Sequence, residues 1–207
     1  MHERLKGRGL YVITDGPRPN LLEVVAQALA GGARLLQYRD KTTDPARRLT
    51  EARSIRALCA ARGVPMIVND DVALALSVGA AGVHLGEDDG DVAAARAVLG
   101  PDAIIGVSCY DSAERARQMA AAGADYLAFG AFFPSPTKPH ARRASFELLR
   151  QTAALGLPRV AIGGITPDNG GSLIDAGADY LAVISAVFGD PDVRGAATRF
   201  AQLFTSH

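Results

Sequence analysis

The sequence predicts a closed (β/α)₈ barrel, and three observations favour this fold class. Short apolar runs alternate with longer amphipathic runs along the chain, as in repeated βα units with a parallel sheet. Eight runs of each kind can be counted. A glycine motif also recurs before every second predicted strand. Because 207 residues lie at the short end for such a barrel, we expect residues 1–207 to form one domain.

Each predicted strand is a short, mostly apolar stretch. The eight strands are Leu10–Thr14, Arg34–Tyr38, Pro65–Asn69, Gly82–Leu85, Ala103–Val107, Asp125–Phe129, Arg159–Ile162 and Asp179–Ile184. Helical patterns fill the gaps between them, and the clearest are Pro45–Arg62 and Ser112–Ala122. A helix between successive strands allows all of them to run parallel.

The glycine motif favours a closed barrel over an open, doubly wound sheet. Each copy has the order helix end, glycine, small residue, strand, and the four copies occupy residues 30–33, 78–81, 122–125 and 176–179. A glycine just past a helix end can adopt the left-handed conformation without a Cβ penalty. One copy would be an ordinary helix-to-strand connection. Four copies at alternate strands are typical of a barrel built from quarter-turns.

The composition argues against several classes of partner. Twenty-two basic residues balance twenty-two acidic ones, so we expect neither nucleic acid nor an anionic membrane as a partner. The two cysteines, Cys59 and Cys109, do not suggest a disulfide framework and fit a reducing cytoplasm. The apolar run Leu10–Ile13 is too short for a signal peptide, and no run approaches the ~20 residues of a membrane helix. We therefore expect a soluble, cytoplasmic protein. Its oligomeric state is left open.

Polar residues follow the second predicted strand, and function in such barrels gathers at the carboxyl ends of the strands. Gln37 and Arg39 point to the same side of an extended chain, and Lys41 can follow them into the barrel mouth. An amide, a guanidinium and an ammonium together suit a diphosphate. The alternative is a charged, solvated turn.

Acidic residues follow the third and fourth strands. Asn69 precedes Asp70, and Asp89 lies in the segment after the fourth strand. Mg²⁺ takes one or two carboxylates and completes its shell with water and substrate phosphates. We choose Asp70 with Asp89 as the pair. Capping or beginning the following helices is the alternative role for the remaining acids, which are Asp71, Asp88 and Asp91.

Two regions in the second half of the chain suggest phosphate binding. The loop Ala131–Arg143 follows strand six and carries two hydroxyls and a lysine in Ser135, Thr137 and Lys138. Its prolines lower the entropy cost of ordering it. The backbone N–H groups at Gly163-Gly164 and Ile184-Ser185, after strands seven and eight, form the usual phosphate cradle of a barrel. These features indicate a ligand group and not a reaction.

Three residues on or near strands four and five have less specific patterns. Ser108 offers a hydroxyl at the end of strand five. His84 lies between two apolar residues, so we expect a hydrogen-bonded interior histidine; a metal ligand is the alternative. Cys109 has no adjoining basic residue, which argues against a reactive thiol.

Taken together, these motifs resemble the thiamine phosphate synthase family. Seven of its hallmarks occur here in the family's order: Gln37/Arg39/Lys41, Asn69-Asp70, Gly82–Asp89, Gly106–Ser108, Pro134–Lys138, Gly163–Ile165 and Ile184-Ser185. The resemblance extends from the first predicted strand to the end of the eighth.

The resemblance implies a Mg²⁺-dependent transferase on a TIM barrel that acts on two small phosphorylated substrates. It assigns the aminopyrimidine diphosphate to Gln37, Arg39, Lys41, Asn69, Ser108 and Lys138. It assigns Mg²⁺ to Asp70 and Asp89, and the thiazole phosphate to Ser135, Thr137, Gly164, Ile184 and Ser185. In such enzymes the diphosphate leaves the pyrimidine methylene and the thiazole nitrogen attacks the resulting cation. Charge stabilisation would then come from the metal, with Arg39, Lys41, Ser108 and Lys138 as catalytic residues.

The chain departs from the family pattern at two places. Glu87 stands where the family usually has Gln, and Ser135-Pro136 stands where it has Thr-Ser. Pro136 has no backbone N–H, which predicts weaker or geometrically different binding of the thiazole phosphate.

Two other functions compete with this one. The first is a thiazole tautomerase, an isomerase on the same barrel, which does not keep the full set of diphosphate and metal residues. The second is a barrel that binds a phosphorylated ligand without turnover. Charged groups at many strand ends argue against it, because unneeded buried charges carry a desolvation cost.

Overall fold

The computed structural model of the protein describes residues 3–5, 7–134 and 143–206. Its eight strands are all parallel and pair in chain order, and β1 closes the sheet against β8. The strands are β1 Gly9–Ile13, β2 Ala33–Tyr38, β3 Met66–Asn69, β4 Gly82–Leu85, β5 Ile104–Tyr110, β6 Tyr126–Phe129, β7 Arg159–Ile162 and β8 Tyr180–Val183. The predicted closed barrel is confirmed.

Nine α-helices lie within the described ranges. They are α1 Leu21–Ala30, α2 Pro45–Ala60, α3 Val72–Val78, α4 Val92–Leu99, α5 Ala113–Ala121, α6 Phe146–Gln151, α7 Pro167–Asp175, α8 Ser185–Phe188 and α9 Val193–Ser206. Short 3₁₀ helices occupy Glu3–Leu5 and Ala153–Leu155. The predicted total of eight is one too low, because the turn after β8 and the C-terminal helix both form. In the part of the chain so described, no helix combines the length and apolarity needed to cross a membrane.

Strand boundaries agree with the sequence to within one residue except at the end of β5. That strand continues to Tyr110, three residues beyond the predicted Val107. The reason is an irregularity between Ser108 and Tyr110, where the register against β6 shifts and pairing then resumes with Phe129. Such a bulge bends a strand and re-aims its side chains.

The glycine motif closes helices as predicted, with one change. Positive φ angles occur in all four copies, at Gly32, Gly79, Gly123 and Gly177. In the first copy the residue next to the helix, Gly31, stays right-handed with φ −79°, and its neighbour Gly32 takes φ +102°. In this copy the left-handed residue is therefore Gly32 and not Gly31, the residue directly after the helix.

Strand side chains alternate between two cores. Leu10 and Val12 pack outward against the helices, whereas Tyr11 and Ile13 point into the barrel. The interior core also contains Leu5, from the 3₁₀ helix that precedes β1. It is unusually rich in tyrosine, with Tyr11, Tyr126 and Tyr180 all buried.

Candidate active site

A cavity of about 450 Å³ opens at the carboxyl ends of β2, β3 and β4. It is lined by Asp40, Lys41, Thr42, Arg48, Asn69, Asp70, Asp71, Val72 and Asp89. Four residues assigned to the site from sequence therefore share one cavity. A smaller hollow of about 270 Å³, near the amino end of β3, contains none of the predicted site residues.

Asp70 and Asp89 meet in this cavity. Their carboxyl groups hydrogen-bond to each other, and the Lys41 ammonium forms an ion pair with Asp70. Asn69 Nδ2 donates to Asp70 Oδ2 at 2.6 Å, and the backbone N–H of Gly86 donates to Asp89 Oδ2 at 2.8 Å. The structure thus brings together a lysine, an amide and two acids from the carboxyl end of β3 and the segments that follow β2, β3 and β4.

The pKa values of the two acids move in opposite directions. Burial and the neighbouring Asp89 raise the pKa of Asp70, and Lys41 opposes the rise. Burial also acts to raise the pKa of Asp89, but hydrogen bonds from Asp70 and Gly86, with the charge of Lys41, lower it overall. Two carboxylates this close either share a proton or need a cation beside them to remain charged together. The pair is therefore a place where positive charge is favoured.

The donor set fits a hard divalent cation. Within residues 3–5, 7–134 and 143–206 there is no group of three or more His, Cys, Asp or Glu side chains that could hold a metal. Mg²⁺ needs only one or two carboxylates when water and substrate phosphates complete its shell. Asp70 and Asp89 supply that number. The Lys41 ammonium now pairs with Asp70, at the place where a metal ion would be held.

Two of the three neighbouring acids cap helices, as the alternative interpretation predicts. Asp71 accepts a hydrogen bond from Leu74 N at 2.8 Å and so caps α3. It also pairs with Arg48 at 3.0 Å. Asp91 caps α4 by accepting from Ala94 N at 2.9 Å. Asp88 is exposed.

Buried ion pairs anchor the loop that carries Lys41. The fully buried Asp40 carboxylate pairs with Arg47 Nη2 at 2.7 Å and accepts from Thr42 N at 2.8 Å. Burial opposes ionisation of Asp40, but the hydrogen bonds from Thr42 and Arg47 prevail and lower its pKa. Arg47 also pairs with Glu51 at 3.0 Å. This support was not predicted, although Asp40 lies inside the predicted Gln-x-Arg-x-Lys segment.

A row of hydrogen-bonded side chains crosses the barrel interior, and we call it the interior chain. Gln37 Nε2 donates to the Tyr11 hydroxyl at 2.7 Å, and the Tyr11 and Tyr126 hydroxyls lie 2.9 Å apart. Tyr126 then contacts His84 Nδ1 at 2.9 Å, and His84 Nε2 contacts Ser108 Oγ at 2.9 Å. The predicted hydrogen-bonded role of His84 is confirmed. The chain links two predicted substrate-binding residues on β2 and β5.

Gly106 makes room for this arrangement. It lies beside both His84 and Tyr126 in the sheet, and a Cβ at Gly106 would overlap the Tyr126 ring. The ring instead passes over the strand and stacks on His84, with centroids 5.6 Å apart and planes 18° apart. The glycine of the Gly-Val-Ser motif is thus explained by packing.

Arg39 and Cys109 differ in their availability for chemistry. Arg39 is held through its backbone, since its N–H donates to Thr14 Oγ1 at 2.8 Å and its carbonyl accepts from the same hydroxyl at 2.9 Å. None of the described residues hydrogen-bonds to its guanidinium, which leaves that cation free for a ligand. Cys109 is buried, and burial raises the pKa of its thiol to about 12. This agrees with the expectation that it is unreactive.

The predicted phosphate cradle lies across the mouth, at the ends of β7 and β8. Gly164 has φ +65°, and a Cβ there would approach the carbonyl oxygens of Phe133 and Pro134 to 2.7 and 2.5 Å. Ile184 precedes α8, and Ser185 begins it with an exposed side chain. The other predicted phosphate residues, Ser135, Thr137 and Lys138, lie outside the described residues, as does Pro136.

Known proteins are similar to this chain over almost its whole length. The family model described as thiamine monophosphate synthase matches residues 10–187. A thiamine-phosphate synthase of Azoarcus sp. is 58% identical over 207 residues, which cover 99% of this chain and 100% of the relative. One from Xanthomonas campestris pv. campestris is 57% identical over 204 residues, 96% of each chain.

A solved structure is similar over the same extent. The thiamine phosphate pyrophosphorylase from Pyrococcus furiosus superposes with a TM-score of 0.87 at 38% identity and covers 98% of both chains. Sequence identity of this degree over nearly the whole length, together with the family match, leaves no large segment without a counterpart. The chain belongs to the thiamine monophosphate synthase family.

Proposed function

We propose that the protein joins 4-amino-2-methyl-5-hydroxymethylpyrimidine diphosphate to 4-methyl-5-(2-phosphoethyl)thiazole, forming thiamine phosphate and releasing pyrophosphate. The observation that carries this proposal is the juxtaposition of Lys41, Asp70 and Asp89 at one side of the barrel mouth. Such a cluster suits a diphosphate leaving group with a metal ion. The close relatives that bear the name thiamine-phosphate synthase support the same reaction.

The diphosphate end of the site would contain the cation. Asp70 and Asp89 would hold Mg²⁺, which supplies positive charge to the departing diphosphate when bound. Lys41 would exchange its ion pair with Asp70 for diphosphate oxygens. The Arg39 guanidinium, to which none of the described residues hydrogen-bonds, would bind them as a fork. Gln37, Asn69, Ser108 and Lys138 complete the proposed pyrimidine diphosphate site.

The chemistry needs little acid–base help from the protein. When the C–O bond to the diphosphate breaks, both electrons leave with the oxygen, and the pyrimidine methylene becomes a cation. The thiazole nitrogen then donates its lone pair to that carbon. Arg39, Lys41, Ser108 and Lys138 would stabilise the leaving group, and two anion sites would hold the reactants in contact.

The second anion site would take the thiazole phosphate at the ends of β7 and β8. The proposed residues are Ser135, Thr137, Gly164, Ile184 and Ser185. Gly164 has φ +65° and packs against the carbonyl oxygens of Phe133 and Pro134, so this turn requires glycine. We also propose that the protein works in the cytoplasm, which its two unpaired, buried cysteines support.

The decisive experiment incubates the protein with both substrates, with and without Mg²⁺, and identifies products by mass spectrometry. We expect thiamine phosphate and pyrophosphate, formed only with the metal. Intact substrates in the presence of folded protein would overturn the proposal. A thiazole isomerisation assay would then separate a tautomerase from a binding protein without turnover.

A further inference from the structure

We propose that Tyr11, Tyr126 and His84 are positioning residues that give the interior chain one direction of hydrogen bonding, so that Ser108 turns its hydroxyl hydrogen toward the substrate. These three residues hydrogen-bond within the barrel interior, and only the residues at the two ends of the chain, Gln37 and Ser108, are among those assigned to the pyrimidine diphosphate. They would therefore act through Ser108 and Gln37, which stand at the two ends of the chain.

The direction follows from counting donors. Gln37 presents its amide nitrogen to Tyr11, and an amide nitrogen donates but cannot accept. The Tyr11 hydroxyl therefore accepts from Gln37. Its own hydrogen then needs an acceptor, and Tyr126 is the one that the described residues offer. Because Tyr11 is buried, leaving that hydrogen unpaired would be costly.

The same reasoning carries through to the other end. Tyr126 accepts from Tyr11, so its single hydrogen points to His84 Nδ1, which must be an acceptor. With Nδ1 accepting a hydrogen bond, the neutral imidazole bears its single hydrogen on Nε2. Nε2 then donates to Ser108 Oγ. The Ser108 hydrogen is not needed by the chain.

A serine in this state suits an anionic ligand. Its oxygen is occupied by the His84 donor, and its hydrogen is free to bond a phosphate oxygen. Donation from His84 also polarises the Ser108 hydroxyl and makes it a better donor. In the opposite direction, Ser108 would donate to His84 and present only lone pairs to the diphosphate, which repels them.

The direction of the chain can be tested without substrate. Nitrogen-15 NMR of the histidine rings distinguishes the two neutral tautomers, and His84→Gln identifies the resonance among the four histidines. We expect the tautomer with hydrogen on Nε2. A ring with its hydrogen on Nδ1 would overturn the proposal, because Nδ1 would then donate to Tyr126 and Nε2 would accept from Ser108.

Kinetics test whether the chain acts through Ser108. This part depends on the proposed function. We expect Tyr126→Phe to lower kcat/KM for the pyrimidine diphosphate about tenfold, the effect of one misdirected hydrogen bond, and to leave KM for the thiazole phosphate unchanged. The control is Tyr180→Phe, since Tyr180 is also buried inside the barrel but donates to Leu5 O, outside the chain. It should retain full activity.

A double variant separates positioning from stability. In a Ser108→Ala background, Tyr126→Phe should cause no further loss, because the group it orients is gone. Additive losses would show that Tyr126 acts only on the fold. If Tyr126→Phe does not fold, Tyr11→Phe replaces it, with a smaller expected loss because the Tyr126–His84 bond remains.

The two proposals fail in different ways. If the wild-type protein makes no thiamine phosphate, the proposed function is wrong, while the His84 tautomer still decides the direction of the chain. If the protein is active but His84 carries its hydrogen on Nδ1, the function stands and the positioning role is wrong.

Discussion

The backbone conformation of Asp70 is rare for a residue other than glycine. It has φ +61°, in the left-handed region that residues other than glycine seldom occupy, although aspartate tolerates it best. Its backbone N–H is fixed by a 2.8 Å bond to His84 O, on the next strand. In this conformation the carboxyl group contacts that of Asp89. Backbone strain of this kind is concentrated at functional sites.

Replacing Asp89 tests the acid pair directly. We expect Asp89→Asn to remove the Mg²⁺ dependence and to lower kcat by about 100-fold or more, since even supporting residues of metal sites cost 10- to 100-fold. The measurement is the rate of pyrophosphate release over a range of Mg²⁺ concentrations. Asp88→Asn is the matched control, because Asp88 is adjacent but exposed. Metal-stimulated turnover by the Asp89 variant would contradict the assignment.

His84 predicts a dependence of stability on pH. Its pKa falls from 6.5 to about 4 on folding, chiefly because of burial. Between these two pH values the unfolded chain therefore binds a proton at His84 that the folded chain does not bind. The contribution of His84 to the free energy of unfolding is complete above pH 6.5 and is lost as the pH falls toward 4. The loss amounts to at most about 3 kcal/mol. Urea unfolding at pH 7 and pH 4.5 should show a smaller difference for His84→Gln than for the wild type; equal differences would count against the prediction.

At the scale of elements, the loop between β2 and α2 is held from both sides. Asp40 ties it to Arg47 on α2, and Arg47 bonds Glu51 one turn later. The hydroxyl of Tyr38, at the end of β2, donates to the same Glu51 at 2.7 Å. Lys41 lies in the middle of this frame. These contacts hold the backbone that carries Lys41, and the Lys41 side chain reaches from it to Asp70.

Removing the Asp40 carboxylate should weaken substrate binding more than it destabilises the fold. We expect Asp40→Ala to lower kcat/KM for the pyrimidine diphosphate about tenfold, mainly through KM, because the loop that presents Lys41 loses its anchor. Steady-state kinetics with each substrate varied in turn would measure this. Asp44→Ser is the control, since it removes a carboxylate from the same loop but keeps an oxygen to cap α2. An unchanged KM in the Asp40 variant would refute the anchoring role.

At the scale of the whole molecule, the sequence was sufficient for the barrel because the evidence for it is local and repeated. Alternating apolar runs and glycines past helix ends involve only neighbouring residues, so each βα unit can be predicted from its own segment of the sequence. The interior chain could not be predicted in this way. Its members lie on β1, β2, β4, β5 and β6 and become neighbours only when the sheet closes.

The candidate site could likewise be predicted from the sequence only in part. The pairing of Asp70 with Asp89 was chosen from sequence and the family resemblance, and the structure places the two carboxyls in contact. The anchoring of Lys41 by Asp40 and Arg47 was missed, because a charged residue before a helix has the same pattern whether it is buried or solvated. The roles of the site residues stay predictions, as does the single-domain organisation.

The amino end of the barrel should contribute stability without affecting the reaction. Leu5 is buried in the interior core, remote from the strand ends that carry the site. We expect Leu5→Ala to reduce the free energy of unfolding by about 2–4 kcal/mol through the cavity it leaves. Chemical denaturation gives the energy, and kcat should stay unchanged in the folded protein. Leu22→Ala, at an exposed position, is the control; a comparable loss there would contradict the explanation.

The buried tyrosines allow the unfolding of the barrel to be followed by ultraviolet absorbance. The chain contains five tyrosines and no tryptophan, and Tyr11, Tyr38, Tyr126 and Tyr180 are buried. Burial raises the pKa of each of these four phenols. In an alkaline titration the folded protein should therefore form little phenolate absorbance, and a steep rise would mark the opening of the barrel. The ultraviolet spectrum alone would then report the integrity of the core, without any label.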